Sequence, residues 1–354
     1  MKDLFSELGI DVFTKQVTSE VTEVLPTNIL PLDIALGVGG LPRGRMITLT
    51  GQYATGKSTL CTLLAALNQR VGGKTIIFDT EGAYEFFRMK QVGVDVERGD
   101  VAIVQHQVAS DGLWPLTMEY VEKVIRSAIE LAKPEDKLLI IWDTVSATPV
   151  QAEVIGNVDS DKLIGKHARV LSHIFRIQPA MLLKKRVTLL CVAQPKTDPL
   201  TGATEYLGSK PLRFHSSVII DLSRYSKDEK KQIIKFYVSK NKVAVPYTKG
   251  QYTYYFQTGI DFISSLPKFV GKSTSHYVWN DKAVLRTQSL QLLLEKKEEI
   301  ESWVTSQLYR KIPYKILLDE RVNTADPQAI EINRVEENES ADGHERNEAE
   351  NSRV

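Results

Sequence analysis

The stretch Gly51-Gln52-Tyr53-Ala54-Thr55-Gly56-Lys57-Ser58 fits the pattern G-x-x-x-x-G-K-[ST] at every position, and few sequence features limit a fold as tightly. Such a loop works only between a buried strand and the start of a helix. The flanks comply: Met46 to Thr50 is apolar and β-branched, and Ser58 to Arg70 repeats leucine at 60, 63, 64 and 67 with helical spacing. In that setting the backbone N–H groups from Gly51 to Thr59, with the positive end of the helix, converge on the phosphates of a nucleoside triphosphate. Lys57 would reach the terminal phosphates and Ser58 would hold Mg²⁺.

The 354 residues allow one large core domain with small appendages, and 42% hydrophobic residues suffice to bury it. A formal charge of +1 leaves any attraction to nucleic acid to local basic patches. Cys61 and Cys191 both fall in apolar stretches, which predicts core thiols in a reducing compartment. No run reaches the length of a membrane span and no signal-type apolar core follows Met1, so a cytoplasmic protein without membrane attachment is expected.

The candidate site residues outside the loop lie at strand ends. Thr75 to Asp79 predicts a buried strand with Glu81 just beyond its carboxyl end, the edge where open α/β sheets gather ligands. There a carboxylate can orient or deprotonate the attacking water, although a solvated strand-end carboxylate is an equal reading from these residues alone. Lys137 to Thr144 predicts a second apolar strand ending in Asp143, whose carboxylate, downstream of a complete phosphate loop, is expected on the magnesium side. Further strands are expected at Val101 to Gln105 and Val187 to Ala193, and helices at Pro31 to Leu36, Leu116 to Ala132, Lys162 to Lys185 and Leu290 to Leu308. Pro149 to Asp161 and Lys196 to Pro211 read as polar loops. Lys196, Lys210 and Tyr206 suit single-stranded nucleic acid, although composition alone favours ordinary surface loops. Ser217 to Arg224, Gln232 to Val243 and Tyr252 to Gln257 read as antiparallel strands.

From about Leu25 to Asp261 the chain resembles the RecA recombinases. The resemblance is carried, in order and spacing, by Leu32-Asp33-Ile34-Ala35-Leu36-Gly37, Gly39-Gly40-Leu41-Pro42, the Gly51 to Ser58 loop, Phe78-Asp79-Thr80-Glu81, Val92-Gly93-Val94-Asp95, Asp143-Thr144, Gln194, Leu212-Arg213-Phe214 and Lys240 to Pro246. Ser172 to Pro179 is more similar to the UvsX branch carried by bacteriophages.

The resemblance implies an α/β fold with a RecA-like ATPase core and a mostly parallel sheet. It makes Glu81 the catalytic glutamate, Asp143 the magnesium-side acid, and Gln194 the residue that senses the γ-phosphate. Lys240 and Lys242 would reach the neighbouring subunit's ATP, with Arg213 and Phe214 at the same interface. Arg169 and Arg176 would face DNA phosphates, and Gly208 would contact DNA from the second loop. Arg88 stands where bacterial members place an aromatic on adenine; a guanidinium can also stack on a base.

The expected organisation is an oligomerisation arm over 1–27, an ATPase and DNA-binding core over 28–262, a small C-terminal lobe over 263–320, and a tail over 321–354. From Glu331 that tail holds eight acids against three arginines with no apolar period, the composition of a disordered segment. The function implied is a DNA-dependent ATPase that uses ATP and Mg²⁺ to form filaments on single-stranded DNA and pair it with homologous duplex. Its partners would be DNA, further copies of itself, and single-strand-binding or mediator proteins. A ring-forming helicase would share the loop and core but lack the Leu25 to Gly44 entry and the Lys240 and Lys242 pair. A nucleotide-binding loader is the other alternative, and Glu81 speaks against it.

Overall fold

The structure is a computed structural model and describes residues 20–109, 112–156, 160–197, 204–206, 209–256, 259–261, 276–279, 282–285, 296–310 and 312–317. In chain order the strands are β1 (Val24–Leu25), β2 (Leu41–Pro42), β3 (Met46–Gly51), β4 (Thr75–Asp79), β5 (Val101–Val104), β6 (His106–Ala109), β7 (Gly112–Pro115), β8 (Leu139–Asp143), β9 (Thr188–Ala193), β10 (Pro195–Thr197), β11 (Thr204–Tyr206), β12 (Val218–Lys227), β13 (Lys231–Asn241), β14 (Thr248–Tyr255), β15 (Gly259–Asp261), β16 (His276–Trp279) and β17 (Lys282–Leu285). The helices are α1 (Leu30–Leu36), α2 (Lys57–Arg70), α3 (Phe86–Val92), α4 (Met118–Leu131), α5 (Gln151–Ile155), α6 (Ser160–Lys185), α7 (Ser209–His215) and α8 (Lys297–Gln307).

Nine strands share one sheet in the order β15-β14-β13-β12-β3-β9-β8-β4-β5. From β12 to β5 neighbours run parallel, and β13, β14 and β15 extend the sheet antiparallel. Both faces of the parallel part are covered, which is why its strands are apolar at nearly every position. Strand alternation divides their side chains between two cores. Ile47, Leu49, Leu139, Ile141, Leu190 and Val192 pack with Leu60, Leu64 and Leu67 of α2. Ile140, Trp142, Leu189 and Cys191 pack on the other face with Val121, Ile125 and Ile129 of α4 and with Leu171, Ile174 and Phe175 of α6. Trp142 is fully buried, donates its indole N–H to Thr148 Oγ1 at 2.7 Å, and meets the Phe175 ring at 6.1 Å.

Several expectations need correction. Strand β12 is not simply antiparallel: Val218 to Leu222 pair parallel with β3 while its other edge pairs antiparallel with β13. The polar stretch Pro149 to Asp161 holds helix α5 and the start of α6. The second loop forms the β10–β11 hairpin and then the start of α7. The β6–β7 hairpin was not expected, because His106 to Pro115 lacks a strong period. Of the long C-terminal helix, the described part begins at Lys297. Residues 1–19, which hold most of the expected arm, and the acidic tail lie outside the described residues.

Residues 308–310 and 312–317 fasten onto the start of the core. Asn28 and Leu317 exchange two hydrogen bonds, of 2.9 and 3.0 Å. Arg310 donates to the carbonyls of Gly37 and Val243. Tyr314 donates its hydroxyl at 2.7 Å to the buried carboxylate of Asp33, which also accepts from the backbone N–H and hydroxyl of Thr27. Burial raises the Asp33 carboxyl from 3.8 to about 7, against the lowering effect of Thr27 and Tyr314. Because this folded-state value is raised, protonation favours the fold below the unfolded value, and that advantage is lost as pH rises through the folded one. Tyr314→Phe removes a donor to the anion and raises the carboxyl further. Its stability deficit, about 1–3 kcal/mol by denaturant unfolding, should therefore be larger at pH 8 than at pH 5.

Candidate functional site

The phosphate loop follows β3 in the middle of the sheet, and its shape requires small residues at defined places. A Cβ on Gly51 would lie 2.6 Å from the Leu222 carbonyl oxygen and 2.7 Å from Thr55 Oγ1, distances no real side chain tolerates. Gly56, the residue before the first turn of α2, has φ +81°, a left-handed conformation that favours glycine. Thr55 closes the loop by donating its hydroxyl to the Gln52 carbonyl at 2.8 Å. Gln52, Tyr53 and Ala54 are exposed on its outer side. The Lys57 ammonium is buried and donates to the same Gln52 carbonyl at 2.9 Å. Burial lowers its pKa, against the attraction of Asp143, Glu81 and Cys61. Ser58 donates to Asp143 Oδ2 at 2.8 Å, and Thr59 is half-buried beside it.

The ends of β4 and β8 lie side by side, with Asp79 opposite Asp143. Asp79 accepts from the backbone N–H groups of Ala83 and Tyr84 and from Gln105, and so folds the turn that carries Glu81. Thr80 clasps the neighbouring strand, donating to the Asp143 and Thr144 carbonyls and accepting from the Thr144 N–H. Glu81 is exposed and accepts from Thr144 Oγ1 at 3.0 Å and from Gln194 Nε2 at 2.8 and 3.1 Å. The Gln194 backbone N–H donates to Ser146 Oγ at 2.9 Å, and β10 begins at the next residue. Asp143 is buried, which raises its pKa, while hydrogen bonds from Ser58 and Tyr84 lower it. Lys57, Ser58, Glu81, Asp143 and Gln194 thus meet at one sheet edge.

The remaining expected residues are distributed around this centre. Arg88, exposed on α3, donates to the Tyr254 hydroxyl and to Gln91. Lys240 donates its ammonium to the carbonyls of Arg213 and Phe214, and Lys242 donates to that of Phe214 at 3.3 Å. The C-terminal carbonyls of α7 are thereby capped by two cations, as the helix dipole favours. The Phe214 ring is 73% exposed. Arg176 lies exposed on α6, close enough to His215 to lower its pKa, after burial and Lys242. Arg169 lines a groove with His173 of α6 and Glu119 and Glu122 of α4. Lys196 and Tyr206 belong to the two strands of the hairpin after Gln194, Lys210 is exposed on α7, and Gly208 lies outside the described residues. Thr144, Ser146 and Tyr84 were not expected at the site; no periodicity marks them, and only their place after Asp143 and Glu81 pointed there.

A family model of the RecA N-terminal domain matches residues 4–261. The chain belongs to the RecA family. The RecA protein of Bacteroides thetaiotaomicron is 32% identical over 276 residues, covering 74% of this chain and 79% of that protein. The RecA protein of Helicobacter hepaticus is 30% identical over 318 residues, or 85% of this chain and 87% of that one. Among solved structures, the RadB recombinase shares the fold, with a TM-score of 0.50 and 20% identity over 67% of this chain and 98% of that chain. Membership in the RecA family makes this a recombinase-class protein with nucleotide hydrolysis as the family-level activity. Among the described residues no helix is long and apolar enough to cross a membrane.

The donor set fits a hard divalent cation held with a nucleotide. Among the described residues no three His, Cys, Asp or Glu side chains gather as a metal site, so Ser58 and Asp143 would contribute two oxygens and phosphates and water the rest. The contact of Gly51 with Leu222 and Thr55 makes a direct test. Gly51→Ala should displace the loop and weaken binding of a fluorescent ATP analogue at least about tenfold, with circular dichroism unchanged.

Proposed function

We propose that this RecA-family protein is a DNA-dependent ATPase that, with ATP bound, polymerises on single-stranded DNA and pairs it with homologous duplex. The observation that carries the reading is the hydrogen bond from Gln194 to Glu81. It joins the carboxylate suited to act on the attacking water to the residue just before β10, which leads into the loop proposed to face DNA. A loop reshaped by DNA would move Gln194, and with it the restraint on Glu81. Hydrolysis stimulated by DNA follows from that single connection.

Each residue then has a task. Glu81, released by Gln194 and still oriented by Thr144, accepts a proton from the attacking water. Lys57 exchanges the Gln52 carbonyl for the transferred phosphoryl group. Ser58 and Asp143 would hold Mg²⁺, which when bound neutralises charge on the phosphates. Arg88 is proposed to stack on the base. Lys240 and Lys242, with Arg213 and Phe214, are proposed to complete the site of the next subunit across the filament interface, and Arg169, Arg176, Lys196, Tyr206, Gly208 and Lys210 to contact DNA. The proposal keeps the arm over 1–27, the core over 28–262, the lobe over 263–320 and the acidic tail over 321–354. A likeness closest to the phage UvsX-type branch, a cytoplasmic setting, and single-strand-binding or mediator proteins as partners are proposed with it.

Two experiments test this reading. Glu81→Gln should bind nucleotide normally and hydrolyse it on the order of 10² more slowly with single-stranded DNA present; turnover at the parental rate would remove Glu81 from its role. Lys240→Ala with Lys242→Ala should leave nucleotide binding intact while DNA-stimulated hydrolysis and filament length in electron micrographs fall together. Mixing these subunits with Lys57→Ala subunits should restore hydrolysis wherever an intact lysine pair faces an intact loop. Co-assembled filaments that recover nothing would assign the pair a role within its own subunit.

A further inference from the structure

Asp143 carries more than its expected partner. Its Oδ2 accepts two hydrogen bonds, both of 2.8 Å, one from the Ser58 hydroxyl and one from the phenol of Tyr84. Among the described residues none donates to Oδ1. The two donors differ in burial. Ser58 is half-buried in the first turn of α2, next to the phosphate loop, whereas Tyr84 is 6% exposed and packs in the core with Cys61 and Met89.

The position of Tyr84 is fixed from several directions. Asp79 accepts its backbone N–H at 3.2 Å and that of Ala83 at 2.9 Å, and Gly82 takes φ +69° to make the turn. The same turn holds the end of β8 at two further points, through Thr80 on the Asp143 and Thr144 backbone and through Glu81 on the Thr144 hydroxyl. A buried carboxylate held by one half-buried serine alone would have fewer restraints on its side-chain torsions. With a phenol fixed in the core on Oδ2, it keeps Oδ1 directed away from that bond.

We propose that Tyr84 is a positioning residue for the metal–nucleotide complex: its buried hydroxyl locks the rotamer of Asp143, so that the acid is preorganised for a divalent cation. This rests on reading the site as one for a magnesium nucleotide, and not on any role for DNA. Outer-shell partners of this kind typically change metal affinity by 10–100-fold when removed.

The test uses the full chain without DNA. Binding of a fluorescent ATP analogue is titrated with Mg²⁺ and separately with Mn²⁺, for the parent and for Tyr84→Phe. The variant should need about tenfold more metal for half-saturation, with metal-free analogue binding unchanged and hydrolysis largely recovered at saturating Mg²⁺. In an Asp143→Asn background the same replacement should have no further effect on the metal requirement. A folded Tyr84→Phe protein with the parent's metal requirement overturns the proposal, as does equal loss of metal-free and metal-dependent binding, which would mark a packing role. Should Tyr84→Phe fail to fold, 4-fluorophenylalanine at position 84 fills the hydroxyl's space without donating; a parental metal requirement there overturns the proposal equally. A parent that binds metal and nucleotide together but shows no DNA-stimulated turnover would sink the recombinase reading and leave this one standing.

Discussion

A carboxylate buried at the end of a central strand is costly unless donors or a cation meet it, and much of the site is organised around that cost at Asp143. Ser58 comes from the helix after β3, Tyr84 from the turn after β4, and Lys57 supplies the nearest positive charge. Lys57 and Ser58 share one segment and Tyr84 belongs to another, and the two meet at Asp143 only because β3, β4 and β8 end at the same sheet edge. The parallel register puts them there, and the two apolar cores hold the register. Core packing and catalytic geometry are therefore one problem in this molecule, since a slip of one residue in β8 would exchange Asp143 for a neighbour of opposite facing.

The same edge carries a second, looser layer. Glu81 and Gln194 are held by each other rather than by the core, and both border segments with few apolar anchors. The contrast between a buried acid bonded by Ser58 and Tyr84 and an exposed acid held by one hydroxyl and one amide separates the enclosed part of the site from the part that can respond. The lysine pair belongs to the responsive layer as well. Lys240 and Lys242 rest on the last carbonyls of α7, the helix that follows the second loop, so a shift of that helix reaches the pair directly.

How much of this was legible in the sequence depended on where the physical determinant lay. Strands β3, β4, β8 and β9 and helices α2, α4 and α6 announce themselves through unbroken apolar runs or helical spacing, because burial on both sheet faces leaves no other choice of residue. The phosphate loop is legible for a steric reason, since Gly51 and Gly56 occupy positions where a side chain collides or strains. Family resemblance, not pattern, supplied Gln194, Lys240 and Lys242. Tyr84 and Thr144 escaped notice because hydrogen bonds between residues 59 and 63 apart leave no periodic trace. The double pairing of β12 was hidden for a related reason: an alternating strand looks the same whether its partner runs parallel or antiparallel. The β6–β7 hairpin is too exposed to impose a pattern.

The fastening of residues 308–310 and 312–317 onto α1 has a consequence for how the chain folds. Asp33 is shielded from water in the finished molecule, yet one of its donors is Tyr314 and the adjoining Asn28 waits for a residue 289 positions later. The donors of Thr27 are close in sequence and can form with α1 itself, whereas the phenol reaches Asp33 from 281 positions away. Packing around α1 therefore depends on contacts of very long sequence separation, the kind whose loop-closure cost must be met before the contact repays it.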